Sequence, residues 1–399
     1  VKVTYFVHNL GDPATARRIR MLEIGGCREI VPLGFRRTEG PVRSVAGVDT
    51  IDLGRTVDGG FGNRILGVAL AATILGRHAD RFAGSAVLVG RNLEGLMLAA
   101  LARRRFAPGA RLVYECLDIH RLLLGGPARP ALGGLERRLL RGTDLVLVSS
   151  QAYETEYFRH RLGVTTPVLL VENKVLDDGE APAQPSAWRP RPAGPPWRIG
   201  WYGSLRDHES LDLLAALARR LGGLVEVHVA GRPSEREMPD FHAVVNRTPH
   251  MVFHGAYDRA RDLPRLYGDA HFTWAIERFE KGGNGAWQLV NRLYEGGLFG
   301  SVMIAEAGVE MGRWLAARGT GVLVGASIGD DVARFFRSLG GDAYARLEAE
   351  ARAVPRTDLV ATRAECEDVV AALAGRPRLA DPARLTGVPP RPLQLPSTT

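Results

Sequence analysis

The chain has 399 residues, 45% of them hydrophobic, 24% charged and 7% aromatic. That is enough for two ordinary domains of about 100–200 residues each and too balanced for a disordered chain, a collagen-like repeat or a coiled-coil rod. Three widely spaced cysteines, Cys27, Cys116 and Cys366, cannot build a disulfide framework or a paired-thiolate zinc site, which predicts a reducing compartment. The formal charge of +8 is carried almost wholly by arginine, since only Lys2, Lys174 and Lys281 are lysines; it permits attraction to phosphates, nucleic acid or anionic lipid and selects none of them, and a G+C-rich genome explains the arginine bias equally well.

The chain opens directly on an alternating strand, Lys2 to Val7, with no basic segment leading into an apolar signal core, so export is not expected. Further strands are predicted near 29–33, 48–53, 86–90, 111–116, 144–149 and 167–171, with helices in the gaps. Asp12-Pro13 reads as a helix start, a cap residue followed by proline, and Gly25-Gly26 as its end. His8, Asn9 and Gly11 follow the first strand, with Arg17, Arg18 and Arg20 on the next helix either facing solvent or binding a phosphate. The apolar helix from Asn63 to Arg77 is too short to span a bilayer; it packs either on its own sheet or, with Arg103–Arg105 and Arg137, Arg138 and Arg141, on an anionic membrane surface. Arg91 and Asn92 follow the fourth strand, and Glu115, Asp118 and His120 cluster at the end of the fifth. Either Asp118 or His120 could accept a proton from a hydroxyl nucleophile; the alternative is, respectively, a helix cap and a histidine satisfied by nearby backbone.

From Gly179 to Trp197 prolines dominate, which predicts an extended linker. The strand–helix pattern then restarts, with strands near 198–202, 224–230, 251–254, 270–275, 302–305 and 321–324, and helices near 208–221, 258–267, 285–298 and 327–338. Helical patterns continue through 341–375, and residues 376–399 read as a loosely ordered tail. Two doubly wound parallel sheets follow, with ligands expected beyond the carboxyl ends of the strands, in a cleft between the domains. Gly203, Ser204 and Arg206 at the first of these ends suit an anion, by close backbone approach, a helix N-terminus and a full positive charge; an ordinary glycine turn is the alternative. Arg292 and Glu295 share one helical face after Asn291, either as an ion pair or as a phosphate contact and a carboxylate matched to a vicinal diol. Lys281, Gly283 and Asn284 lie in a glycine-rich loop able to wrap a sugar.

Taken in order, Y-F-V-H-N-L-G-D-P near the start, V-Y-E-C-L-D-I-H from Val113, G-S-L-R from Gly203, V-A-G-R from Val229, F-H-G from Phe253 and N-R-L-Y-E-G-G-L-F-G-S-V-M-I-A from Asn291 resemble the GT-B-fold group 1 glycosyltransferases, and among them the bacterial succinoglycan-type exopolysaccharide glucosyltransferases. The resemblance implies an α/β GT-B fold, with an acceptor-binding domain over 1–178, a linker over 179–197, a nucleotide-sugar domain over 198–375 and a tail over 376–399. It implies transfer of a hexose, glucose by the narrower match, from a nucleoside diphosphate sugar, a UDP-sugar, to a lipid-linked oligosaccharide. The place would be the cytoplasm or, peripherally, the inner face of the plasma membrane. Gly203, Ser204, Arg206, Gly231, Lys281, Gly283, Asn284, Asn291, Arg292 and Glu295 would bind the donor; His8, Asn9, Gly11, Arg91 and Asn92 the acceptor; Asp118 and His120 would carry the chemistry. No cofactor, metal or nucleic acid is expected. The chain departs from the family pattern where a sugar-contacting glutamate is usual, since Trp287 stands eight residues before Glu295, and it lacks the usual lysine after the glycine turn, which Arg206 or His208 would replace. A nonhydrolysing nucleotide-sugar epimerase of the same fold is the alternative activity.

Overall fold

The computed structural model describes residues 1–56, 61–178, 191–280 and 283–376, with side chains omitted over 61–66. Lys281, most of the expected linker and all but the first residue of the expected tail lie outside the described residues. The chain forms two compact units, one of Val1–Glu172 joined by the segment from Thr362, the other of Asn173–Ala361.

The first unit is built on seven strands: β1 Lys2–Val7, β2 Glu29–Arg36, β3 Ile51–Arg55, β4 Val87–Arg91, β5 Arg111–Cys116, β6 Leu145–Val148 and β7 Val168–Leu170. They pair in parallel in the order β3-β2-β1-β4-β5-β6-β7. Strands covered on both faces read as nearly continuous apolar runs, and Val3, Tyr5, Phe6 and Val7 of β1 are each at most 2% exposed. Asp12 caps the helix Pro13–Ile24 by accepting from the Ala14 amide at 2.9 Å, as its sequence signature predicts. The direction of chain progression reverses between β1 and β4, so the loops leaving those two strands splay apart there.

The second unit repeats the plan with β8 Trp197–Leu205, β9 Val225–Pro233, β10 Met251–Phe253, β11 Phe272–Trp274, β12 Val302–Glu306 and β13 Val322–Val324. Their order is β10-β9-β8-β11-β12-β13, again all parallel. Its switch point lies between β8 and β11. Trp197, Trp201 and Trp274 are buried on the face that packs against the helices His208–Leu221 and Ile328–Ser338.

The predicted domain boundaries shift at three places. The helix Arg363–Leu373 belongs to the first unit rather than the second, because it packs on the helix Pro13–Ile24 so closely that a Cβ on Gly25 would lie 2.4 Å from the Cys366 carbonyl. Residues 173–178 belong to the second unit, where Val175–Leu176 pairs with Val360–Ala361. The expected linker is already anchored at Arg191, which is 6% exposed, and Trp197 starts β8. The helix expected over 285–298 is two, Asn284–Trp287 and Asn291–Leu298, because the backbone at Gln288 and Val290 is extended and sends Leu289 into the core.

Candidate active site

At the switch point of the second unit, Gly203 on β8 stands beside Gly231 on β9, with φ of +123° and +143°. A Cβ on Gly231 would lie 1.9 Å from the Gly203 carbonyl oxygen, so side chains are disfavoured at Gly203 by backbone conformation and excluded at Gly231 by both conformation and space. Ser204 and Arg206 are exposed beyond it, and the Arg206 guanidinium stacks 4.7 Å above the Phe279 ring. Asp207 is 3% exposed and starts the helix His208–Leu221. It accepts from the Ser210 amide at 3.1 Å, the Ser210 hydroxyl at 2.6 Å and the Arg278 amide at 2.7 Å, tying the loops after β8 and β11 together.

Glu295 is 4% exposed. Its Oε2 accepts from the Tyr267 hydroxyl at 3.0 Å and its Oε1 faces Arg259 Nη2 at 2.7 Å. Burial pushes the Tyr267 phenol well up, with the Glu295 charge adding to it, so the hydroxyl stays a donor. Arg292, three residues earlier and 5% exposed, has different partners: its Nη2 donates to the Ile276 carbonyl and to Glu277 Oε2, each at 3.1 Å. Arg292 and Glu295 are therefore not paired with each other. Burial pushes the Glu277 carboxyl up against the pull of Arg292. Glu277 Oε1 and Arg292 Nε are buried with no hydrogen-bond partner among the described residues.

Of the other predicted donor residues, Asn284 is 4% exposed and donates to Glu280 Oε2 at 2.7 Å, so its amide shapes the loop. That loop wraps Gly285, where a Cβ would lie 2.9 Å from the Phe279 carbonyl. Gly283 is buried at the loop's turn and Asn291 is exposed at the start of its helix. Lys281 lies outside the described residues.

At the switch point of the first unit, Asn92 Nδ2 approaches His8 Nδ1 to 3.5 Å, and Asn92 holds a left-handed φ of +57°. Asn9 Oδ1 accepts from the Gly11 amide at 3.1 Å, closing the turn that follows β1. Arg91, expected to touch the acceptor, is instead 1% exposed. It donates to Glu115 Oε2 at 2.9 Å, to Thr15 Oγ1 at 3.2 Å and to the Ala14 carbonyl at 3.1 Å. Arg18 is likewise no phosphate ligand, being buried 2.5 Å from Glu115 Oε1. Tyr5 also donates to Glu115. Burial alone would raise the Glu115 carboxyl, but Arg91 and Arg18 hold it down at about 2.

Asp118 is exposed after β5. His120, not Asp118, caps the short helix Arg121–Leu124, accepting from the Leu122 amide through Nδ1 at 3.3 Å. A peptide N–H cannot share Nδ1 with a ring proton, so neutral His120 carries its proton on Nε2.

Several residues that build these sites carry no sequence signal. Arg259 and Tyr267 reach Glu295 from the helix Arg259–Asp269. Arg278 bridges Glu209 at 2.9 Å and Glu306 at 2.6 Å. Among the described residues, no group of three or more His, Cys, Asp or Glu side chains is placed to hold a metal ion.

No family model matches the chain. It is 40% identical over 378 residues, 94% of its length and 93% of the relative's, to succinoglycan biosynthesis protein ExoL of Rhizobium meliloti (strain 1021). Its structure resembles Anabaena HepE, solved in complex with UDP and glucose, with a TM-score of 0.65 at 14% identity over 94% of this chain and 99% of that one. It also resembles sucrose-phosphate synthase of Thermosynechococcus elongatus, with a TM-score of 0.64 at 14% identity over 94% and 96% of the two chains. The two doubly wound units and these likenesses place the protein in the GT-B fold class. Within that class it belongs to the ExoL family.

Proposed function

We propose that this protein is a glycosyltransferase that moves a hexose, glucose by the narrower sequence match, from a UDP-sugar to a lipid-linked oligosaccharide in exopolysaccharide assembly. The observation that carries the donor half is the side-chain-free turn at Gly203 and Gly231. Backbone amides can approach an anion closely there, at the start of the helix His208–Leu221 and beside the exposed cation of Arg206. Glu295 suits the two hydroxyls of a ribose, since Tyr267 and Arg259 fix its carboxylate from one side. The leaving diphosphate gains a negative charge, and donors already aimed at it stabilise that charge without reorganising.

His8, Asn9, Gly11 and Asn92 are the acceptor residues in this reading, gathered at the switch point of the first unit. His120 orients a substrate oxygen by donating from Nε2, which leaves Asp118, exposed nearby, as the group able to accept the hydroxyl proton. The relative's part in succinoglycan biosynthesis supports an oligosaccharide acceptor, and HepE's complex with UDP and glucose supports the donor. No helix among the described residues is long and apolar enough to cross a membrane. Peripheral docking at the inner face would use the helix Phe61–Ile74, where Leu70 is 59% exposed.

Purified protein incubated with radiolabelled UDP- and GDP-sugars and membrane extract tests the reading. Label entering a lipid fraction from UDP-glucose supports it, whereas an interconverted free nucleotide sugar identifies an epimerase.

A further inference from the structure

Arg191 looks in the sequence like one more arginine in a proline-rich connection, yet its side chain is 2% exposed and its guanidinium serves five acceptors. Nε donates to the Gly268 carbonyl at 3.0 Å. Nη1 donates to the Gly300 carbonyl at 3.2 Å and Glu348 Oε1 at 2.6 Å. Nη2 donates to the carbonyls of Tyr267 at 2.9 Å and Phe299 at 2.7 Å. Tyr267 and Gly268 lie in the last turn of the helix Arg259–Asp269, and Phe299 and Gly300 directly follow the end of the helix Asn291–Leu298. Such ends leave carbonyls without intrahelical partners and carry partial negative charge, so one planar fork satisfies and neutralises both at once.

These two helices also hold the carboxylate assigned to the ribose. Glu295 lies on one; Arg259 and Tyr267, its two partners, lie on the other. Tyr267 joins both layers, accepting from Arg191 through its carbonyl and donating to Glu295 through its hydroxyl. We propose that Arg191 is a positioning residue for nucleotide binding, locking the two helices at the separation that aims the Glu295 carboxylate at the ribose hydroxyls. The proposal rests on the reading of Glu295 given above. A carboxylate matched to a diol tolerates little displacement, and a site loosened by its supporting shell loses affinity without losing its fold.

The test is calorimetric titration of UDP into the full chain as wild type, Arg191→Lys, Glu295→Gln and the double variant. Lysine keeps the charge but cannot reach carbonyls on both helices in the fixed fork. We expect Arg191→Lys to weaken UDP binding about 10-fold in the wild-type background and less than about 2-fold in the Glu295→Gln background, the signature of residues acting through one another. Equal losses in both backgrounds, or no loss at all, overturn the proposal and leave Arg191 a fold-stabilising residue only. If Arg191→Lys fails to fold, Glu348→Gln, which weakens one of the five contacts, should show the same pattern at about 2- to 3-fold, and an additive or absent effect there overturns it. Should Glu295→Gln bind UDP as tightly as wild type, the ribose assignment itself has failed, a result visible without any Arg191 variant.

Discussion

Arg91 Nε lies 2.9 Å from Glu115 Oε2 in an interior where neither side chain is more than 1% exposed. With Arg18 on the other oxygen at 2.5 Å, the pair ties β4 and β5 to the helix that follows β1. Glu115→Gln would leave the buried Arg18 guanidinium without its carboxylate and Arg91 with only that of Asp12, 3.8 Å away, and breaking a buried pair from one side costs about 3–5 kcal/mol. We expect a loss of that size in urea unfolding at neutral pH, with Arg91→Lys losing less than Arg91→Ala.

The same residue sets an acid limit. Its folded pKa of about 2 lies below the ordinary 4.5, so the ion pairs stabilise the fold fully above the ordinary value. That stability, about 3 kcal/mol, is lost as pH falls toward 2. Glu136 behaves oppositely: it is fully buried, accepts from Tyr114 at 2.8 Å and Tyr157 at 2.5 Å, and burial pushes its carboxyl up. Its ionised form costs stability above the ordinary carboxylate range, and that cost is relieved as pH falls through the raised value. Glu136→Gln should therefore be near neutral or stabilising at pH 8, where Glu115→Gln is severely destabilising; unfolding midpoints from pH 3 to 8 separate the two.

Gly231→Ala places a methyl group where only 1.9 Å separates it from the Gly203 carbonyl, at φ +143°. We expect β8 and β9 to part at their carboxyl ends, a loss of about 2–4 kcal/mol and failure to bind UDP. Gly40→Ala, where a Cβ meets nothing within 4 Å, should leave both properties unchanged in the same assays.

Two roles meet in His120, as a cap through Nδ1 and, in the proposed mechanism, as a donor through Nε2. His120→Ala should cost up to about 1 kcal/mol of stability and slow transfer of label to lipid about 100-fold, the usual scale for a lost proton or hydrogen-bond donor in catalysis. His120→Asn restores the cap alone. Recovery of stability without turnover would confirm that the two roles are separate, whereas recovery of both would show the histidine to be structural.

Much of this was legible in the sequence because local chemistry wrote it there. Asp12-Pro13 announced a helix start, β-branched runs announced both parallel sheets, and Gly203 with Asn291–Glu295 announced where the second unit gathers its polar residues. What stayed hidden is long-range. Nothing near Arg191 signals that its acceptors lie 76 to 157 residues away, and nothing near Arg91 signals that Glu115, rather than a ligand, takes its charge. The helix Arg363–Leu373 has the same amphipathic pattern whichever unit it covers, so its return to the first unit follows only from its close packing on Gly25.

The central claim is that the second unit binds a nucleoside diphosphate through the glycine turn and Glu295. Its most direct test is calorimetric titration of UDP into the purified full chain and into Glu295→Gln. Saturable one-to-one binding to the wild type, weakened at least about 10-fold by the substitution as expected for a lost charged hydrogen-bond acceptor, is the predicted result. Absence of binding to the wild type, or equal affinity in both proteins, would contradict it.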